Sequence, residues 1–544
     1  MSVESPSAPV SLQPAPLREP LDLPRRSSRS TLIGRLPGWF ERVPWPRWVD
    51  RIPWPLLVVL VVQACLSGRL LWADTAFIDE ATYLYAGHQE IHSILTNGAL
   101  TVPGANGYYQ TYFSGAPVLY PILGAIADSI GGLTAARLLS LVFMLGATSF
   151  LYGTAARLFN RRAALFGSAV FAILGPTQFL GALATYDAMA LCLMALAAYL
   201  AVKSSQLDDN RLTLLYACVA MVMADAVKYA VLLFDPVILG ACVLACVPYR
   251  GWAQARRQGY RMIGYSATML GALLALGGHA YVKGLMYTTL SRAAGTYSVR
   301  HILLDSWGWV GAVAVAAAIA VIVHIIWDRQ SLSRTLLCAL LAAAVTLAPL
   351  DQARIHTLTS LQKHVDFGAW FAAIAVGYLL SRVLPAARNR AVASLTLLAA
   401  TAALSAVTMV SAAQATGLAT EWPNSDATVA ALSPWAKSGN VLAENYFIYI
   451  YYLGDNAASL DRWSDTWELT YKDPASGKEL TGYAAYTDAI MHHHFTTVAV
   501  SYGATSATDH VIINAMKKAG GYTRVVHIRF GPLWFDVFHE TNAK

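Results

Sequence analysis

Two adjacent carboxylates, Asp79 and Glu80, follow the first long apolar run of the chain, in "TAFIDEATYLYAGHQEI" (75–91). A charge this close to a membrane face must stay hydrated or meet a partner. Two readings of the pair stand. Acidic residues favour the positive end of a helix dipole, so the pair can open a helix. Tyr83, Ala86, Gly87, Glu90 and Ile91 also follow at helical spacing, as in an amphipathic helix lying on a membrane surface. A carboxylate on such a helix ionises and still reaches a lipid head group, which suits a general base acting on a polar acceptor. Asp187 in "GALATYDAMAL" opens a later apolar run and has the same two readings, helix cap or second functional acid. Lys228 and Tyr229 in "ADAVKYAVLLFDP" sit at a hairpin between two short apolar runs. Lys228 there pairs with Asp225, snorkels, or binds a phosphate as a compact charge. Asp235 and Pro236 interrupt the run that follows.

Further basic residues fall in segments between apolar runs: Arg137, Arg292, Arg300, His301, Arg354, His356, Lys363 and His364. Singly, each reads as a surface residue; together with Lys228 they make a pocket for an anionic head group. His88 and Glu90 read as solvated. The run His492 to His494 is not assigned a metal, because consecutive helical residues point in different directions, and no other metal site is assigned. All six cysteines lie in apolar runs, so neither a disulfide framework nor a cysteine metal site is expected, and Cys242 and Cys246 read as packing residues.

These residues need a membrane-embedded frame. Of 544 residues, 56% are hydrophobic and 13% charged, against about 25% charged in a soluble protein. Repeated apolar runs match about 30 Å of hydrocarbon, so the chain reads as a polytopic α-helical membrane protein. The net charge of +7 is spread over short loops and follows the positive-inside rule rather than marking a nucleic-acid partner. Residues 1–30 read as a disordered cytoplasmic N-terminus and 31–54 as an interfacial amphipathic segment. Arginines before the first span keep the N-terminus inside. The segment "APVLYPILGAIADSIGG", interrupted by Pro121 and Asp128, reads as lying along the outer surface, which puts Arg157, Arg161 and Arg162 in the cytoplasm. Eleven spans follow, near 55–72, 133–153, 163–178, 186–203, 211–226, 229–248, 262–282, 308–327, 335–350, 366–382 and 391–412, with an outer loop over 73–132. From 413 to 544 β-rich runs alternate with helical ones, which predicts an α/β domain outside the membrane. The protein is expected in the plasma membrane as a multi-pass protein.

The stretches "FIDEATYLYAG", "YFSGAPVLYPILGAIADSIGGLTAARLLSLVF" and "TYDAMAL" carry a resemblance that covers roughly Pro55 to Thr408. The chain resembles the GT-C glycosyltransferases, in particular those like the protein O-mannosyltransferases and the aminoarabinose transferase of lipid A. The resemblance implies an inverting transfer of a sugar from a polyprenyl-phosphate donor to an acceptor outside the membrane, either protein, lipid or cell-wall glycan. By position it makes Asp79 the first-loop catalytic acid with Glu80 beside it, and Asp187 the second-loop acid. It places Arg137, Lys228 and Tyr229 near the donor phosphate, with Lys363 and His364 from a third loop. It leaves a divalent cation open, since some members use one and others do not. A transporter or flippase of a lipid-linked or anionic substrate is the alternative. It explains the spans but not a carboxylate-bearing surface helix or an outer α/β domain, and no inverted repeat is visible.

Reporter fusions test the orientation. A fusion at Arg161 is expected to report the cytoplasm and one at Ala413 the exterior. An exterior signal at Arg161 would mean that the segment around Pro121 crosses the membrane, and would remove Asp187 from the face that carries Asp79.

Overall fold

Apolar runs without internal breakers become long helices, and glycine pairs or prolines bend or end them. The computed structural model describes residues 53–98, 112–206, 211–327, 331–384 and 390–541; the readings for 1–52 lie outside these. The membrane part comprises α1 (Trp54–Gly68), α2 (Ile78–Asn97), α3 (Tyr120–Leu158), α4 (Arg161–Ile173), α5 (Gly175–Leu180), α6 (Tyr186–Gln206), α7 (Arg211–Val227), α8 (Asp235–Thr288), α9 (Val299–Trp327), α10 (Leu332–Ala343), α11 (Leu347–Arg354), α12 (Leu361–Val383) and α13 (Arg390–Ala419). Among the described residues seven helices are long and apolar enough to cross a membrane. Each of the eleven expected segments falls on helix. Three of them are short or broken: α1, α7, and the α4–α5 pair interrupted at Leu174. Two more share α8, which turns back at Gly251 (φ 72) so that Gly259 packs against Val243 and Leu239.

The segment around Pro121 does not enter the bundle as a separate span. Residues 120–130 form the first arm of α3, and a kink at Gly131 and Gly132 leads into the second arm, Leu133–Leu158. The first arm packs along α2: Leu84 lies on Gly124, and Gly87 on the Pro121 carbonyl. Ile126 and Ile130 stay exposed on its other side, as a helix lying on a membrane surface requires. The chain then makes a second close approach. Ala116 N–H donates to the Ala226 carbonyl (2.7 Å) and Tyr229 N–H to the Ser114 carbonyl (2.8 Å), stitching the end of the loop to the hairpin between α7 and α8.

Beyond α13, which ends seven residues after the expected boundary at 412, lies an α/β domain. Its main sheet runs β2 (Trp463–Ser464), β1 (Val441–Ala443), β5 (Thr497–Val500), β7 (Leu533–Glu540), β6 (Tyr522–Phe530). β1 is parallel to both β2 and β5, while β7 is antiparallel to β5 and β6. A separate hairpin pairs β3 (Thr470–Lys472) with β4 (Glu479–Thr481). Helices α14 (Asp426–Leu432), α15 (Phe447–Leu453), α16 (Gly482–Met491) and α17 (Ser506–Ala519) complete the domain. The run "FIYIYYL", expected to be β-rich, is helix α15. Asn445 adopts φ 55 and ends β1, and Phe447, Ile450 and Leu453 then bury one helical stripe.

Gly115 is the tightest point of the stitch: a Cβ there would stand 1.9 Å from the Val227 carbonyl oxygen. Gly115→Ala is therefore expected to lift the loop from the hairpin at a cost of about 1–3 kcal/mol, seen as a lower Tm of the detergent-purified protein. Ser114→Ala, which removes no described side-chain hydrogen bond, is the control. Equal melting of the two variants would show that the loop yields freely.

Candidate active site

The two neighbouring acids at the start of α2 have different surroundings. Glu80 is fully buried and accepts four hydrogen bonds. Oε1 takes Arg137 Nε (2.8 Å) and Ala184 N–H (2.7 Å), and Oε2 takes Arg137 Nη2 (2.7 Å) and Phe77 N–H (2.9 Å). Arg137, from the second arm of α3, is buried too. Its Nη1 donates to the carbonyls of Leu71 and Asp74 (both 2.9 Å), and its Nη2 also reaches the Thr75 carbonyl (3.1 Å). A guanidinium has five N–H donors, and here all five are spent. In this structure Arg137, expected near a phosphate, has all its donors engaged, and Glu80, expected beside the catalytic acid, accepts along all four lone-pair directions. Both hold the loop instead. A backbone N–H of the segment before α6 is among Glu80's partners.

Asp79 faces a different group. Tyr112 OH donates to its Oδ1 (2.8 Å) and Lys363 Nζ to its Oδ2 (2.7 Å), with the carboxylate 18% exposed. Lys363 also stands 4.0 Å from Oδ2 of Asp187. Asp187 is buried, accepts from Thr185 Oγ1 (2.9 Å), and is bonded by Lys228 Nζ. Asp79, Lys363, Asp187 and Lys228 thus form a chain of alternating charge, drawn from α2, α12, α6 and the hairpin after α7. The two acids and two lysines sum to zero. An aromatic wall closes one side: Tyr83 stacks on Tyr186 (centroids 4.6 Å apart) and meets Phe113 edge-on (4.7 Å), and Lys228 lies over the Tyr186 ring at 4.9 Å.

The other expected residues fall around this cluster. His364, beside Lys363, is held at Nδ1 by the Gln352 amide (2.7 Å). The turn that launches α12 carries two non-glycine residues at positive φ, His356 (53°) and Ser360 (62°), the kind of local strain that surrounding structure must hold in place. The 291–298 segment lies on this turn: Gly295 N–H donates to the Ile355 carbonyl (2.9 Å) and Tyr297 N–H to that of His356 (3.2 Å). Half-buried Arg292 lies on this same segment. Among the described residues Arg292 has no ion pair. Arg354 instead pairs with Asp351 (2.8 Å). Tyr229 stands edge-on to Tyr281 (5.8 Å), and no described hydrogen bond or ion pair joins it to the charged chain. His88 and Glu90 are not simply solvated. His88 meets Asp128 at 2.7 Å, and Glu90 is buried with neither oxygen hydrogen-bonded among the described residues.

Sequence reasoning missed Tyr112, Thr185 and the contributions of the C-terminal domain. Tyr452 OH accepts from Ala76 N–H (2.7 Å), Tyr451 OH donates to Asp128 Oδ1 (2.7 Å), and Trp422 Nε1 donates to the Thr75 carbonyl (2.9 Å). Thr185, two residues before Asp187, had a signal in its spacing. A tyrosine in a run of tyrosines has none.

No family model matches the sequence, and no curated protein matches it. Solved structures do. ArnT from Cupriavidus metallidurans in the apo state matches with a TM-score of 0.56 at 13% identity, over 88% of this chain and 97% of that one. The same protein bound to undecaprenyl phosphate matches at 0.54, again at 13% identity and with the same coverage. The Archaeoglobus fulgidus oligosaccharyltransferase in its apo form matches at 0.55 and 12% identity, over 91% of this chain and 75% of that one. At such identities the likeness is one of fold, and it is the fold of the GT-C glycosyltransferases.

The two adjacent acids should separate by stability. Glu80→Gln leaves a buried guanidinium without its counter-charge, a loss of about 3–5 kcal/mol, whereas Asp79→Asn leaves Lys363 beside Asp187 and is expected to unfold close to wild type. Thermal unfolding in detergent reads the difference; comparable losses in the two variants would contradict the anchoring role of Glu80.

Proposed function

We propose that this protein transfers a sugar from a polyprenyl-phosphate donor to an acceptor on the outer side of the membrane. The observation that carries this reading is the neutral Asp79–Lys363–Asp187–Lys228 chain, with Arg292 on the 291–298 segment that bonds the turn before α12. A sugar phosphodiester brings one negative charge. The four-membered chain offers it no net attraction, and Arg292 supplies the matching positive one. Lys363 and Lys228 can then turn from their acids toward phosphate oxygens as compact donors. The solved relatives agree in kind: one ArnT structure holds undecaprenyl phosphate, and an archaeal oligosaccharyltransferase structure holds dolichol-phosphate with an inhibitory peptide.

In the proposed reaction the phosphate is already a good leaving group, so no acid is needed to protonate it. The acceptor oxygen attacks the anomeric carbon as Asp79 takes its proton, and the C–O bond to phosphate breaks with its electron pair staying on the phosphate. The lipid phosphate, now doubly negative, is held by Lys228, Lys363 and Arg292, which act most strongly where that charge develops. One displacement inverts the anomeric centre. In the unliganded site Lys363 and Tyr112 both donate to Asp79, one to each carboxylate oxygen. Movement of Lys363 toward the phosphate would release the base only when donor is bound. Asp187, buried between the two lysines, positions them.

The test uses purified protein with radiolabelled polyprenyl-phosphate sugars and membrane extract as the source of acceptor. Asp79→Asn is expected to lower turnover by on the order of 10²–10⁴ while donor binding survives. Lys363→Ala and Lys228→Ala are expected to weaken donor binding by roughly 1–3 kcal/mol. Near wild-type turnover in Asp79→Asn would move the base to another residue, and unchanged donor affinity in both lysine variants would remove the phosphate assignment.

A further inference from the structure

The geometry of the C-terminal domain points to a divalent-cation site built by Asp473, Asp488 and His492, apart from the charged chain of the membrane part. Each offers one ligand atom, and the three atoms lie within 4.8 Å of one another. They come from two elements. Asp473 sits in the turn between β3 and β4, while Asp488 and His492 are four apart on one face of α16 and its final turn. Among the three consecutive histidines the structure separates the roles. His493 turns to Glu540 (3.0 Å) and stacks on Tyr522 (5.5 Å), and His494 lies against Tyr471 (5.1 Å) and Phe495 (4.8 Å). His492 alone of the three meets Asp488 and the hairpin turn.

The donor set fits a cation. Asp488 Oδ2 is a buried carboxylate oxygen without a hydrogen-bond partner, 3.4 Å from His492 Nδ1. His492 Nδ1 lies 3.0 Å from the Asp488 carbonyl oxygen. Nδ1 is the nitrogen that faces the Asp488 carboxylate and is therefore the ligand atom, its contact with the carbonyl giving way when an ion binds. Asp473 Oδ1 accepts one described bond, from Ala475 N–H (2.8 Å), and keeps a lone pair free. No lysine or arginine among the described residues forms an ion pair with Asp473 or Asp488. One imidazole nitrogen and two carboxylate oxygens are a ligand set for Zn²⁺ or Mn²⁺, with the remaining positions left to water. Ligand bonds of roughly 2.0–2.2 Å set ligand–ligand separations of about 3–4.4 Å, which small rotations of the two half-buried carboxylates and the exposed imidazole reach.

The ion has something to hold. The β3–β4 hairpin pairs only three residues per strand, and an isolated two-stranded hairpin is marginal in water. Tyr471 anchors its middle and the turn is closed by Asp473 onto Ser476 N–H (3.1 Å). A cation would tie that turn to α16 and stabilise the hairpin by mass action.

The experiment titrates Zn²⁺, and separately Mn²⁺, into full-length, chelator-stripped protein in detergent by calorimetry, with hydrogen exchange of residues 470–481 followed in parallel. One saturable site and slowed exchange of the hairpin are expected. Asp473→Ala and His492→Ala should each weaken binding by roughly tenfold or more, and His493→Ala should not. Native exchange protection of β5 and β7 in the metal-free variants checks that they fold. Absence of saturable binding by either ion overturns the site, as does unchanged affinity in the Asp473→Ala/His492→Ala double variant, which would place the ion elsewhere.

Discussion

The buried pair of Glu80 and Arg137 is the constraint on which the candidate site depends. A guanidinium and a carboxylate removed from water are tolerable only if every donor and acceptor direction is met, and here nine directions are: five from Arg137 and four onto Glu80. Those contacts gather the Leu71–Thr75 segment, the start of α2, the second arm of α3 and the segment before α6. The first residue of the charged chain, Asp79, lies next to Glu80, and the third, Asp187, lies three residues after Ala184. Fixing Glu80 therefore fixes the separation of two acids of the charged chain that are more than a hundred residues apart in sequence. It also orients α2: with Glu80 turned inward, Asp79, about 100° round the helix, must face the cluster.

The charged chain follows a different rule. Its members are incompletely satisfied, with Asp79 partly exposed. A fully satisfied network is rigid, whereas one whose charges alternate can exchange partners at small net cost when another charge arrives. Each lysine touches an acid it can leave, because the other carboxylate or an incoming anion replaces it. The same protein thus builds its anchor and its exchangeable site from the same residue types. The difference lies in how many of each group's hydrogen bonds are already made.

The positions of charge were legible in the sequence; their partners were not. Asp79, Asp187, Lys228 and Lys363 were visible because ionisable residues at the ends of apolar runs are costly and few, and the four do meet. Arg137 stood in the same class by sequence, one basic residue at the start of a span, yet it is bound to Glu80 and three carbonyls. Nothing local separates it from Lys228, because the partners of each are brought by the fold from distant segments. Glu80 could not be told from Asp79 for the same reason. The spans were readable from apolar length; the merging of the Pro121 segment and the span after it into one kinked helix was not. The "FIYIYYL" run was not, since aromatic and β-branched residues favour strands and only the packing of α15 on α2 overrides that preference.

That packing gives the C-terminal domain a part in the site. Phe447 of α15 lies 6.2 Å from Tyr85 of α2. Tyr451 bonds Asp128 on the first arm of α3, and Asp128 in turn holds His88 of α2. Tyr452 and Trp422 take the backbone of Ala76 and Thr75, immediately before the helix that carries Asp79. The membrane bundle alone grips α2 at its N-terminus through Glu80 and along one side through α3. The remaining side is gripped from the C-terminal domain. A short loop helix held from one side only would sample positions that move Asp79 relative to Lys363. Held from both sides, it keeps the 2.7 Å contact between them. The α/β domain is therefore a structural wall of the candidate site, and the fold needs it wherever the acceptor approaches.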